Sequence, residues 1–115
     1  MGHIFLKQTI LLDNLWRDII KARANKKCER CSRTEELHSH HIIKRTYWPT
    51  RWDLDNGICL CAICHKIAHD NEEIFKLWVA KKRPLNQLEK KKHSLVKLDP
   101  YLIETLLTDI LRSYP

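Results

Sequence analysis

Two Cys-x-x-Cys pairs, Cys28 with Cys31 and Cys61 with Cys64, constrain this chain more than any other feature. Each pair is a knuckle, a tight turn that points two thiolates at one metal. If both knuckles share one ion, the chain between them must double back. Residues 32 through 60 separate the pairs. That exceeds the roughly 15–20 residues of a simple zinc ribbon, and the excess is what an inserted hairpin needs. The expectation is therefore a structural zinc ion held by Cys28, Cys31, Cys61 and Cys64. A redox pair is less economical, because two pairs are present. The fifth cysteine, Cys59, reads as a buried free thiol. An odd number of cysteines, four of them in knuckles, suits zinc in a reducing compartment better than a disulfide framework.

The remaining elements look like support for this span. Leu11, Leu12, Leu15, Trp16, Ile19 and Ile20 recur at helical spacing and predict an amphipathic helix over 8–24. After the first knuckle, Leu37 to Arg45 reads as a strand, with β-branched Ile42 and Ile43 behind the doublet His40-His41. Residues 46–56 read as a loop containing Pro49, with Trp48 and Trp52 pinning it to the core. Gly57 to Leu60 is a second short strand. A helix is predicted from Ala62 to about Arg83, where Pro84 stops it. Its computed core face carries Ile63, Ile67, Ile74, Leu77 and Trp78, with His65 and His69 on the other side. Residues 86–92 predict a short basic helix and Leu95 to Leu98 an extended piece. Asp99-Pro100 is a helix start, Asp as N-cap and Pro at the first position. The helix over 100–113 bears a broad apolar stripe, with core packing the preferred reading and a dimer surface the alternative.

The length of 115 residues predicts one domain, 1–115, around a metal core at 28–70. A formal charge of +7 predicts attraction to polyanions, nucleic acid first. Lys7, Asp13, Asn14, Arg17 and Asp18 interrupt the apolar residues near the start, which argues against a signal peptide or membrane span and for a cytoplasmic protein.

A second constellation stands apart from the thiols: His40, His41, Asn56, His65 and His69. The run His40-His41-Ile42, then Asn56, then Cys61-x-x-Cys64-His65 resembles the HNH endonuclease family, the ββα-metal nucleases. The two knuckles match its zinc-containing members. The spacing from His41 through Asn56, His65 and His69 is similar to the HNH domain of DNase colicins, which lack the knuckles. The resemblance covers about residues 28–70. It implies an α+β fold: a small ββα-metal core with a four-cysteine zinc site, flanked by N-terminal and C-terminal helices. It also implies roles. His41 matches the general base. His65, His40 and His69 match metal ligands, His40 standing where many members have aspartate. Asn56 matches the motif asparagine, which fixes the base-bearing loop or binds metal according to subgroup; the loop role is preferred here.

Elementary chemistry agrees with these roles. Phosphodiester hydrolysis needs a base for water and a cation for the charge on phosphate. Imidazole titrates near neutrality and suits the first need. Three imidazoles suit Mn²⁺, Ni²⁺, Co²⁺ or Zn²⁺ better than Mg²⁺, though Mg²⁺ is a family habit. Adjacent strand residues point to opposite faces, so His40 and His41 serve one site only if the strand bends or ends at the doublet. His38 reads as a surface histidine that could substitute as a ligand. Arg45, Arg51, Lys66, Lys81, Lys82 and Arg83 are the candidates for contact with DNA, with Lys90, Lys91 and Lys92 adding to the basic surface. The expected activity is metal-dependent cleavage of DNA, nicking with low sequence specificity, by a monomer, with a homodimer as the alternative. The competing class is a non-catalytic zinc module that binds nucleic acid. Such a module has no need of His40, His41 and His69.

Overall fold

The structure, a computed structural model, describes residues 6–115. Helix α1 spans Leu6–Arg23 and strand β1 Leu37–His41. A short helix α2 at Trp48–Arg51 and a 3-10 turn at Leu54–Asn56 follow, then strand β2 at Gly57–Cys61. Helices α3 (Ala62–Asp70), α4 (Glu72–Val79), α5 (Leu85–Lys91) and α6 (Pro100–Arg112) complete the order. This is the expected α+β fold with a ββα core between terminal helices.

The two strands pair antiparallel, with Leu37 opposite Cys61 and His41 opposite Gly57. The hairpin is covered on both faces, so β2 is buried along its whole length. Its pleat divides the core in two. Ile58 and Leu60 join Cys28, Cys64, Ala68, Phe75 and Val79 on the side of α3 and α4. Cys59 joins Leu12, Trp16, Ile19, Ile20, Trp52 and Leu107 on the side of α1 and α6. Gly57 sits where α1 crosses closest. A Cβ there would lie 2.7 Å from Trp16 Cζ2 and 2.6 Å from Ile20 Cγ1, so only glycine admits this approach. Arg23 ties the same corner by donating to the carbonyls of Leu54 and Gly57, each at 2.8 Å.

Several features differ from the sequence expectation, among them the helix Trp48–Arg51 and the 3-10 turn Leu54–Asn56 inside the expected 46–56 loop. The single helix over 62–83 is two helices, broken at Asn71, whose φ of −130° and ψ of 61° leave the helical region. Asn71 followed by Glu72 and Glu73 is a helix start in its own right, with acidic groups at the positive end of the dipole. The apolar face is also different. Ile63, Ile74 and Leu77 are exposed, while Cys64, Ala68, Phe75 and Val79 are buried. Cys64 must point at the first knuckle, and that requirement turns Ile63 outward. Finally, β1 stops at His41 instead of reaching Arg45, because Asn56 draws the next residues out of the ladder, as described below.

The Asp99 cap is present: its carboxylate accepts from the N–H groups of Tyr101 and Leu102. The stripe of α6 is only partly covered. Leu107 is buried and Ile103, Ile110 and Leu111 pack toward α1, but Leu102 and Leu106 remain exposed. Among the described residues no helix is long and apolar enough to cross a membrane.

Candidate metal and catalytic centre

The four knuckle thiols converge. The Sγ atoms of Cys28, Cys31, Cys61 and Cys64 all lie within 4.8 Å of one another, and Cys31 Sγ is 3.6 Å from Cys61 Sγ. A tetrahedral zinc site with Zn–S near 2.3 Å has S···S edges of about 3.8 Å, so the donor set fits that ion. The first knuckle closes through Ser32 N–H to the Cys28 carbonyl at 2.9 Å, with Ser32 in the left-handed region at φ 68°. The second is built on a helix start. Cys61 is the N-cap of α3, and its sulfur accepts from Cys64 N–H at 3.5 Å.

Burial pushes the Cys28 thiol up, but backbone N–H groups around it outweigh that and bring it down to about 7. Burial pushes Cys64 up to about 12, with the neighbouring thiols adding to the effect. A dication at the centre of the four sulfurs favours their thiolate forms. Cys59 stays apart from this group as a buried thiol, raised to about 11 by burial and by Glu29.

Glu29, inside the first knuckle, locks it to the hairpin. One carboxylate oxygen accepts from Cys59 N–H at 2.8 Å and the other from Arg83 at 2.6 Å. Arg83 also donates to the Gly57 carbonyl. Arg83 is therefore turned inward by an ion pair, contrary to the expectation that it meets DNA. Arg51 is likewise spent. Its guanidinium donates twice to Asp13 on α1, at 3.0 and 2.7 Å, and is largely buried. Arg45, Lys81 and Lys82 are exposed, as is Lys66, which pairs with Asp70 one turn on.

The pleat of β1 sorts the histidines. His38 and His40 face α3. His40 meets the rings of His65, His69 and Phe75 at centroid distances of 5.1, 5.3 and 5.3 Å. His38 stacks on His65 at 4.9 Å. His65 and His69, one turn apart on α3, bring their Nε2 atoms to 3.1 Å. One nitrogen from each of His40, His65 and His69 falls in a group within 4.8 Å. Nitrogens bound at about 2.0–2.1 Å around a tetrahedral ion are about 3.3 Å apart, so three imidazoles so placed can hold one divalent ion and leave positions open. Burial, together with the nearby His65 and His69, pushes His40 down to about 3, so it offers a lone pair rather than a proton at neutral pH.

His41 faces the other way, toward α1. Its ring stacks on Trp16 with centroids 3.9 Å apart and planes within 9°. Its Nε2 is 2.9 Å from the carbonyl oxygen of Arg51. A carbonyl only accepts, so Nε2 carries the proton and the neutral ring keeps its lone pair on Nδ1. Burial lowers the His41 pKa, and the Arg51 carbonyl and Asp13 carboxylate oppose that only in part. Because β1 ends here, His40 and His41 line one cavity of ≈ 350 Å³ despite facing opposite sides of the strand.

Asn56 is fully buried and satisfied by the 43–50 segment. Its Oδ1 accepts from Ile43 N–H at 2.6 Å, and its Nδ2 donates to the carbonyls of Ile43 and Thr50, each at 3.0 Å. Its side chain therefore holds the loop that follows His41. Trp16 and Asp13 were not singled out as site residues by sequence. No local motif marks them, since their partners, His41 for Trp16 and Arg51 and Trp52 for Asp13, lie far along the chain. Asp13 receives Arg51 and, at 2.9 Å, Trp52 Nε1; burial raises its carboxyl but these hydrogen bonds hold it below the usual range.

A hairpin and helix clasped by four thiols, with three imidazoles gathered between β1 and α3, define a ββα-metal core. Residues 28–71 match the model of the HNH endonuclease family. The family is one of nucleases, which act on nucleic acids. Comparison with curated proteins and with solved structures gives no significant match.

Proposed function

We propose that this protein is a metal-dependent endonuclease that hydrolyses DNA phosphodiester bonds. The observation that carries this reading is the pairing of two geometries beside one cavity. His40, His65 and His69 form a three-nitrogen ligand set, and His41 is held as a neutral base next to them. A zinc module that only binds nucleic acid needs the four thiols and neither of these. In our reading zinc is the structural ion of the thiols, and residues 1–115 serve one HNH nuclease unit.

When bound, a divalent ion on His40, His65 and His69 would supply Lewis acidity to the phosphate and leaving oxygen. The chain's own residues do the rest. His41 Nδ1 takes a proton from water, and the water oxygen attacks phosphorus. The P–O3′ bond breaks, and the departing O3′ takes a proton from solvent water, leaving a 5′-phosphate and a 3′-hydroxyl. The Arg51 carbonyl fixes the tautomer, Trp16 fixes the ring plane, and Asn56 holds the loop that carries Arg51.

One base and one ligand set cut one strand per engagement, so nicking is the expected outcome. A time course on supercoiled plasmid with added Mn²⁺, Mg²⁺, Ni²⁺, Co²⁺ or Zn²⁺ tests both points. Open-circular DNA should accumulate before linear product. No cleavage with any of these metals contradicts the endonuclease reading. Linear product at the earliest times, with a dimer by sizing, contradicts the monomeric nickase.

DNA contact is expected through exposed cations, Arg45, Lys66, Lys81 and Lys82 among them, with little base discrimination. Binding should weaken steeply with salt. Lys81→Glu with Lys82→Glu should flatten the log–log slope by about 0.9 for each side chain that touches a phosphate. An unchanged slope and affinity would remove this face from the interface.

A further inference from the structure

Beside the histidine cavity lies a second one, of ≈ 540 Å³, between residues 46–49 and residues 92–98. That is within the size range of pockets that enclose a small organic ligand. The two cavities share Tyr47 and Lys92 in their walls, so a strand leaving His40 and His69 on that side enters the second cavity next. Its lining is aromatic and cationic: Tyr47 and Trp48 on one side, Lys92, His93 and Lys97 on the other. The Lys92 ammonium sits 5.0 Å from the Tyr47 ring centroid, and the His93 ring stands edge-on to Tyr47 at 5.9 Å. Among the described residues no carboxylate lines this cavity. The partner of Lys92, Glu89, belongs to the wall of the first. At the rim Leu95 is wholly exposed and Val96 largely so.

Rings and apolar edges beside ammonium groups, without acids, are what an unpaired nucleotide requires. Its base has a face to stack and its phosphate a charge to neutralise. A continuous duplex keeps its base faces stacked on one another and would use only the cations. We infer that this cavity receives an unpaired nucleotide next to the scissile phosphate. The favoured substrate is then DNA with a single-stranded stretch, such as an overhang, gap or fork, flanking the cut. The inference rests on the DNA-cleaving reading above. It assigns a specificity element to residues 92–98, which lie outside the matched HNH segment.

The test is fluorescence anisotropy with a labelled blunt duplex and the same duplex bearing a single-stranded extension, without added divalent metal. Wild-type protein should bind the extended DNA more tightly. Tyr47→Ala should lose at least about fivefold on the extended DNA and little on the blunt one, the range expected for one stacked base. Tyr47→Phe keeps the ring and should restore the preference. Lys97→Glu, at an exposed position, should weaken extended-DNA binding and flatten its salt slope, and it carries the test if Tyr47→Ala does not fold by circular dichroism. Equal wild-type affinity for the two DNAs, or Lys97→Glu without effect, overturns the inference. A protein that nicks plasmid but shows no such preference loses only this inference. A protein that shows the preference but never cuts loses the cleavage reading instead.

Discussion

His41→Ala is expected to abolish plasmid nicking while zinc content, the fold and most of the DNA affinity stay in place. A positioned base contributes about 10²–10⁴ in rate. His41 also contributes a stacked ring to Trp16, so some loss of stability is built in. Most of the Trp16 environment survives: the residue is buried, and its Nε1 donates to the Asp53 carbonyl at 2.9 Å. His65→Ala makes the useful contrast. It should lower affinity for the activating metal, so that nicking recovers in part as metal is raised. His41→Ala should not recover at any metal concentration. Wild-type nicking by His41→Ala would remove it from the base role outright.

Removing the knuckle metal should have the largest effect on the fold itself. Zinc binding to four thiolates in small domains releases about 10–16 kcal/mol at neutral pH. A chain of this size has a total stability of about 5–15 kcal/mol. Cys28→Ser or Cys64→Ser, or a strong chelator, should therefore unfold the protein or lower its melting temperature steeply. Three of the four ligands, Cys28, Cys61 and Cys64, also belong to the apolar cluster on the α3 side. Loss of the ion would leave them crowded and mutually repelling once ionised. Mass spectrometry under native conditions should find one zinc per chain before any catalytic metal is added. A metal-free protein with an unchanged melting temperature would refute the structural zinc.

The parts legible in sequence were those in which chemistry and spacing coincide. Paired cysteines with two residues between them point to a knuckle or a redox pair, and Asp99 before Pro100 can hardly be anything but a helix start. The helical spacing of Leu12, Trp16, Ile19 and Ile20 was equally direct, because the buried face of α1 is its most apolar one. The face of α3 was misread for the opposite reason. Periodicity assumes that the greasiest side turns inward, but here Cys64 and His65 have fixed appointments with the knuckle and the hairpin. The isoleucines take what is left. Arg51 and Arg83 were misassigned to the surface because their carboxylates, Asp13 and Glu29, lie 38 and 54 positions away. Nothing local distinguishes an arginine awaiting phosphate from one already paired. The break at Asn71 did carry a signal, the Asn-Glu-Glu sequence, which the continuous apolar pattern concealed.

The stack of Trp16 on His41 bears on how portable the motif is. The matched segment ends at residue 71 and begins at residue 28, yet the ring against which His41 rests comes from α1. So does Asp13, which anchors the residue whose carbonyl grips that imidazole. A cassette cut to the matched boundaries would keep every metal ligand and lose the vice around its base. Transplanted between scaffolds, it should carry metal affinity with it and leave turnover behind, unless the host supplies an aromatic surface and an anion in the same places. In the proposed mechanism, the flanking helix is as much a part of the catalyst as the motif itself.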